Sequence, residues 1–397
     1  MTETESFAAA PASHPGRGLT FAMAAACGIA VANIYYNQPM VGIIQNDFAN
    51  PTLAGLVPTS AQLGYAIGLF LLVPLGDMMD RRRLIVGQFL VLAVALLLAA
   101  MAPTIHVLLL ANLLVGIGST VAQQIIPLAA ALAMPQRRGR TIGALMSGLL
   151  GGILLSRTIA GLVAAHEGWR AMFWLAVPLA LAASAWMAVI LPRNHPHAGI
   201  RYGAALGSLI HLWRDERSLR GAALKQGSLF AGFTAFWAIL ALHLEEPRFG
   251  LGADIAGLFG IVAMVGVSAA PLAGRLADRR GPHLVIALAA GLALLSWILF
   301  GLWNSVPGLI VGVILLDFAV QSAMVSNQHI VFALRPEARN RLNTIYMTSV
   351  FLGGSLGSAG ATVVWHHGGW LAVSAYGAAL ALLSLGLEVI FRDTAHK

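Results

Sequence analysis

Blocks of about twenty apolar residues, joined by short polar segments, fill the chain from residue 19 to residue 391. Each block is long enough to cross the ~30 Å of hydrocarbon in a bilayer as a helix. Only 10% of the 397 residues are charged and 58% are hydrophobic. A water-soluble domain carries roughly 25% charged residues, so a water-facing surface of this composition is excluded. The expectation is an all-α membrane protein. Hydropathy places twelve spans near 19–45, 56–76, 84–103, 106–131, 141–165, 170–191, 222–244, 252–275, 284–304, 307–332, 342–365 and 369–391. They divide into an N-terminal six-helix half (19–191) and a C-terminal six-helix half (222–391). A tail (1–18), a central loop (192–221) and a second tail (392–397) complete the chain. The polar N-terminal stretch reads as a loose tail, with no removable signal peptide expected. Within the central loop, Ala204 to Trp213 is apolar enough to lie on a membrane surface. Cys27 is the only cysteine, so no disulfide within the chain is possible.

The formal net charge of +8 invites a nucleic-acid reading, but the placement of the charges argues against one. Of the 24 lysines and arginines, all except Arg157, Arg170 and Arg248 fall in the tails and the even-numbered loops. By the positive-inside rule that side is cytoplasmic, with both termini on it. Nucleic acid is not an expected partner; the lipid bilayer is. A bacterial inner (cytoplasmic) membrane is the expected location and a monomer the expected state.

The second half copies the first with an offset of 201. Pro135, Arg138, Arg140, Met146 and Gly152 align with Pro336, Arg339, Arg341, Met347 and Gly353. His166 and Trp169 meet His367 and Trp370, and Asp77 meets Asp278. Two halves of like orientation are related by an axis along the membrane normal, with a central cavity between them that rocking exposes to each side in turn. The small-residue pairs Gly148/Gly152 and Gly353/Gly357 fit close helix packing.

In these features the chain resembles the major facilitator superfamily over essentially its whole length. That family carries G-x-x-x-D-[RK]-x-G-[RK]-[RK] after helix two and a copy after helix eight. The second copy here is GRLADRRG, with Gly274, Asp278, Arg279 and Gly281. The first reads VPLGDMMDRRR, keeping Asp77, Arg81 and Arg82 but with Val73, Met78 and Asp80 off the pattern. The resemblance implies a cytoplasmic gate in which these loops latch the halves together, Asp77 facing the start of helix eleven. The alternative is that they serve only as orientation charges. Asn33-Ile34-Tyr35-Tyr36-Asn37-Gln38-Pro39 resembles the NxYYxQP signature of bacterial drug–proton antiporters. Two departures stand out: Asn112 where helix four of that branch carries arginine, and Arg157 where helix five carries proline.

Arg157 and Asp317 are the two clear intramembrane charges. Counted along their helices they lie about 12 Å and about 15 Å from the outer ends, in opposite halves. A lone charge there costs at least ~2.5 kcal/mol, which favours pairing or a wet cavity. One reading pairs them, directly or through water, with proton uptake by Asp317 loosening the link. The other has Arg157 capping backbone carbonyls in its own half and Asp317 bonded to a nearby Gln or Ser. His243 and His329, near helix ends, rank below Asp317 as titrating groups. Glu245 and Glu246 read as solvated at the outer face, and Glu388 as reaching the headgroups.

The resemblance also implies that helices one, four, seven and ten line the substrate cavity. Its candidates are Tyr35, Tyr36, Asn37, Gln38, Asn112, Gln123, Gln124, Phe233, Phe236, Trp237, Gln321, Asn327 and Gln328. Amides with aromatics suit a neutral or weakly cationic amphipathic solute. For any single aromatic helix packing is the leading reading, and the amides are the stronger candidates because a polar group facing lipid is costly. No nucleotide loop, metal cluster or catalytic triad is present, so neither an enzyme nor a cofactor is expected, and H⁺ is the expected coupling ion. The leading expectation is proton-coupled efflux of a small organic compound, drug or metabolite. The alternatives are uptake of a nutrient such as an organic acid or sugar, or a transport-like membrane sensor.

Overall fold

The structure is a computed structural model, described here over residues 17–134, 136–192, 202–335 and 338–392. The tails at 1–16 and 393–397, the start of the central loop (193–201), and Pro135, Pro336 and Glu337 lie outside the described residues. Twelve helices form two bundles of six: α1 (Gly18–Phe48), α2 (Pro51–Asp77), α3 (Arg81–Ala100), α4 (Ile105–Leu132), α5 (Arg138–Glu167) and α6 (Trp169–Ile190), then α7 (Arg217–Leu244), α8 (Ala253–Arg280), α9 (Pro282–Leu302) and α10 (Val306–Leu334). α11 (339–367) and α12 (370–392) follow, separated by non-helical backbone at Gly368 and Gly369. A surface helix, Tyr202–Asp215, lies between the halves and is pinned to α2 by the Tyr202 hydroxyl, which donates to the Leu71 carbonyl at 2.8 Å.

Several helices start a few residues earlier than the apolar blocks do, at Arg81, Arg138, Arg217 and Arg339. Arginine is a good helix former, and its aliphatic stem can lie along apolar surface while the guanidinium stays in water. We call the end of the bundle that carries these residues the basic end and the opposite one the far end.

Breaks in the helices have local causes. α1 unwinds at residues 33–36, where the Asn33 amide donates back to the Ile29 carbonyl at 2.6 Å. Pro39 has no N–H for the Tyr35 carbonyl, which is taken up by the Gln38 N–H at 3.3 Å instead. α8 tightens into a 3₁₀ stretch at Ala263–Ser268.

The repeat is legible in the packing. Gly148 and Gly152 of α5 lie against the backbone of Ala24 and Gly28 on α1, while Gly353 and Gly357 of α11 lie against Gly227 and Ala231 on α7. A Cβ at Gly152 would stand 2.3 Å from the Gly28 carbonyl oxygen, and one at Gly353 would stand 2.5 Å from that of Gly227. Gly168 and Gly369, which the offset aligns, both have positive φ, at 82° and 57°. Each ends one helix and starts the next in a backbone conformation that glycine adopts without a Cβ clash.

Glu388 does not reach the headgroups. It is buried, accepting from Lys225 Nζ at 2.6 Å and lying 2.7 Å from His283 Nδ1. The triad ties α7, α9 and α12 together near the basic end. Lys225, counted among the orientation charges above, is buried and paired. Removing one partner of a buried pair leaves an uncompensated charge and costs about 3–5 kcal/mol, whereas replacing the pair with apolar groups is often neutral. Lys225→Met is therefore expected to lower the thermal midpoint of the purified protein clearly. Lys225→Met combined with Glu388→Leu is expected to recover most of the loss. Scanning fluorimetry in detergent checks the order of the three midpoints.

Candidate functional site

A cavity of about 830 Å³ lies between the halves at the basic end. Its walls include Asp77, Arg81, Gln123 and Gln124 from the first half and Arg339, Arg341, Thr344 and Met347 from the second. The latch expected here is not closed. Asp77 pairs with Arg81 in its own loop, at 2.9 Å, and the start of α11 stands as another wall of the same cavity. Arg81 also donates to the Gly76 carbonyl at 2.9 Å, and Arg82 donates to the Ala188 carbonyl of α6. These bonds hold the first loop to its own half. In the second copy Asp278 and Arg279 are exposed and Gly274 is partly so. Gly281, at φ 85°, turns the chain into α9.

The far end is sealed by contacts between the halves. Thr59 of α2 donates to Ser358 of α11 at 2.9 Å. Thr362 donates to the Gly55 carbonyl at 3.0 Å, and Thr158 of α5 donates to the Gly257 carbonyl of α8 at 3.0 Å. Glu245, expected in solvent, instead packs its carboxylate where Gly42 of α1 leaves room, and burial raises its pKa. Glu246 lies 3.4 Å from the Nδ1 of His243. That histidine is fully buried, stacked on Trp370 at 4.0 Å, with its Nε2 2.8 Å from Asn304 Oδ1. His329 is exposed.

Arg157 is next in the chain to Thr158 of this seal, and its surroundings are specific. Its Nε donates to Gln38 Oε1 at 2.7 Å. Its guanidinium carbon stands 3.9 Å from the ring centre of Trp237, 4.7 Å from that of Tyr35 and 5.9 Å from that of Phe233. A desolvated cation over an aromatic face gains about 2 kcal/mol, so the rings offset part of the cost of burial. Arg157 caps no backbone carbonyl of its own helix; its partners are Gln38 and Tyr35 in the first half and the α7 aromatics in the second.

Asp317 is buried on α10 with Oδ2 free of any hydrogen bond. No direct ion pair joins it to Arg157 among the described residues, but the two charges are within coulombic reach. α8 lies against both. A Cβ at Gly260 would stand 3.2 Å from the Arg157 Cβ, and one at Gly266 would stand 2.5 Å from that of Asp317. Those two contacts are about 10 Å apart along the helix, which offsets the charges along the membrane normal. The 3₁₀ stretch of α8 falls between and beside them, and such a stretch inside a helix often marks a hinge.

The other cavity candidates separate into three groups. Gln123 and Gln124 line the cavity itself, Gln123 donating to the Tyr65 hydroxyl at 3.3 Å and Gln124 to the Leu72 carbonyl at 2.7 Å. Tyr36, Asn37 and Asn112 are buried in the first half, where Asn37 donates to Asn112 at 3.0 Å. In the second half Asn327 donates to Gln226 at 3.3 Å, Gln328 lies 4.0 Å from the Met347 sulfur, and Gln321 is half-buried. Phe236 stacks on Phe300 at 4.7 Å, a packing role inside its own half.

Sequence reasoning missed the residues that stand between the cavity and Arg157. Tyr65 of α2 and Phe351 of α11 meet across the halves at 4.4 Å. Phe351 packs on Phe230 at 5.2 Å, and Phe230 stacks on Phe233 at 5.4 Å. This aromatic row links Gln123 at the cavity wall to the guanidinium. Gln62 of α2, 1% exposed with neither amide atom bonded, was missed as well. The cost of burying an unpaired polar group, applied to helix two as it was to helix four, would have found it. Among the described residues no cluster of three or more His, Cys, Asp or Glu could hold a metal.

The comparisons with known proteins agree with this architecture. The family model described as Major Facilitator Superfamily matches residues 21–358 and 227–397. The chain is 42% identical over 369 residues to the "Putative uncharacterized transporter YgaY" of Escherichia coli (strain K12), covering 91% of this chain and 93% of that protein. It is 34% identical over 358 residues to the "Probable transporter SCO4007" of Streptomyces coelicolor, covering 89% and 83%. Among solved structures, a bacterial homolog of the human lysosomal transporter Spinster, in an inward-facing and occupied conformation, superposes with a TM-score of 0.76 at 13% identity, covering 97% of this chain and 98% of that one. With two six-helix halves, a cavity between them and a family match across both, the chain belongs to the Major Facilitator Superfamily and is a membrane transporter, not an enzyme.

Proposed function

We propose that the protein exports small amphipathic organic compounds in exchange for protons, by alternating access, across a bacterial inner membrane with both termini in the cytoplasm. The observation that carries this reading is the placement of Asp317. It is a buried carboxylate with a free oxygen, on the second half, within coulombic reach of the charge of Arg157 on the first. Protonation removes its negative charge, and with it the attraction to Arg157. A ligand can shift a conformational equilibrium only through a difference in its free energy between the two states. A proton on Asp317 has such a difference wherever rocking changes the distance to Arg157.

The arginine bias of the basic end supports a cytoplasmic position for that end. The cavity then faces the cytoplasm while the far end is sealed, as expected for the state that loads an exported compound. The neighbouring inward-facing transporter is consistent with this assignment.

Two experiments test the reading. Purified protein should release protons on binding substrate, screened over lipophilic cations, neutral drugs and organic acids, and Asp317→Asn should bind equally well and release none. In inverted vesicles the same variant should lose proton-driven uptake by about tenfold or more for each unit of pH gradient applied, since 1.4 kcal/mol corresponds to a factor of ten. Equal proton release from both proteins would remove Asp317 from coupling. Separately, Thr59→Cys with Ser358→Cys should form a disulfide under oxidation that abolishes transport, with activity returning on reduction. Cys27 is buried and should not interfere. Full transport by the cross-linked protein would show that the far-end seal does not open during the cycle.

A further inference from the structure

Around Arg157 the hydrogen-bond donors outnumber the acceptors. Arg157 Nη2, Gln38 Nε2 and Trp237 Nε1 are all buried without a partner, on side chains 1%, 1% and 2% exposed. The three belong to one place. Gln38 Oε1 is fixed by the Arg157 Nε–H at 2.7 Å, so the Gln38 amide nitrogen is turned away from that bond while remaining beside the guanidinium. The Trp237 ring lies 3.9 Å from the guanidinium carbon. Two donors thus come from the first half and one from the second. Each unpaired buried donor costs about 1–3 kcal/mol, a cost that an acceptor reaching this group in some state of the protein offsets.

Asp317 is not that acceptor in this state, since no ion pair joins it to Arg157 and its own Oδ2 is free. Tyr35 offers the guanidinium its ring face. What the three N–H groups lack is an oxygen with several lone pairs. A carboxylate supplies these, and a guanidinium binds it with two parallel hydrogen bonds. An ammonium group would meet three donors and a like charge. The rings beside it are Tyr35 and Phe233, with Phe230 stacked on Phe233, apolar surroundings suited to an aryl or alkyl body.

We propose that Arg157, Gln38 and Trp237 form the subsite for the polar end of the transported compound, and that this end is a carboxylate on an apolar body. The inference rests on the export reading above and narrows it, replacing the neutral or weakly cationic solute that the residue types alone suggested. The route to the subsite runs from the basic-end cavity through the aromatic row at Tyr65, Phe351 and Phe230, which must part when the compound enters.

Three probes with one body and different polar ends test it: 4-phenylbutyrate, 4-phenylbutyramide and 4-phenylbutylamine, with binding to full-length protein in detergent followed by calorimetry. The acid should bind tightest, the amide more weakly and the amine not measurably. Trp237→Phe keeps the ring over the guanidinium and removes only the N–H. It should weaken the acid by about tenfold or more, as for a hydrogen bond to a charged group, and leave thermal stability near wild type. Gln38→Glu, which exchanges a donor for an acceptor, should abolish acid binding. If the amine binds as well as the acid, if no probe binds the wild type, or if Trp237→Phe leaves acid binding unchanged, the inference falls. Its failure is separable from failure of the export reading. Proton release with some other compound, absent in Asp317→Asn, would keep that reading, while acid binding without proton release would remove it and leave the subsite.

Discussion

A guanidinium held at membrane depth is the constraint on which the centre of this structure depends. Arginine does not shed its charge inside a protein, so the surroundings must stabilise the cation or exclude it. Here they stabilise it with one amide oxygen and three aromatic faces drawn from both halves. The unwound turn of α1 brings Tyr35 and Gln38 to the same side chain. The glycines of α8 bring a third helix close enough to pack directly on the Arg157 backbone, and a Cβ at Gly257 would stand 2.6 Å from the Arg157 carbonyl oxygen. The break in α1, the small-residue face of α8 and the aromatic row of α7 are therefore parts of one arrangement.

The duplicated architecture supplies the frame and also explains why the centre is asymmetric. Both halves repeat the close glycine contact between their first and fifth helices and the positive-φ glycine between their fifth and sixth. The repeat extends to charges in the loops, such as Asp77 and Asp278, but not to those inside the membrane. The offset of 201 places Ser358 opposite Arg157, and Ser358 is a member of the far-end seal, accepting from Thr59. One copy of the position became the buried cation and the other a neutral hydrogen-bonding contact between halves. A two-fold frame carrying one charge of each sign on opposite sides has an electrostatic energy that depends on how the halves are rotated, which a symmetric pair of neutral positions would not provide.

The sequence carried the topology well and the lateral arrangement poorly. Span length and the arginine bias are one-dimensional quantities, and the twelve helices and the two halves follow from counting along the chain. The similar depth that counting gave Arg157 and Asp317 does not hold, since their contacts on α8 are about 10 Å apart along that helix. Which residue touches which across a bundle depends on the rotation of each helix about its axis, and small errors in that rotation exchange a lipid-facing residue for a buried one. Glu388 shows the consequence. Near a helix end it reads as a headgroup contact, yet it lies between Lys225 and His283 on helices that hydropathy cannot place beside it. Asp77 shows a different limit. Its motif indicates a loop that meets the other half, but a motif does not specify a conformational state, and here the carboxylate is held by Arg81 in its own loop. Tyr65 and Phe351 went unnoticed because an aromatic in an apolar helix carries no signal until its partner across the cavity is known.

The aromatic row and the far-end seal together enclose the charge centre on both sides, and this arrangement has a mechanical consequence. The contacts in the seal are single hydrogen bonds between hydroxyls and carbonyls, each worth about 0.5–1.5 kcal/mol net. Across the halves the row makes one ring contact, Tyr65 on Phe351, worth about 0.5–1.5 kcal/mol beyond the area it buries. No single one of these contacts is strong enough to lock the halves alone. Contacts formed on one side as the halves rock can therefore offset part of those lost on the other. In the proposed exchange, one proton or one bound polar group at the centre acts against contacts that are each this weak. A change of a single charge there is therefore sufficient for the proposed coupling.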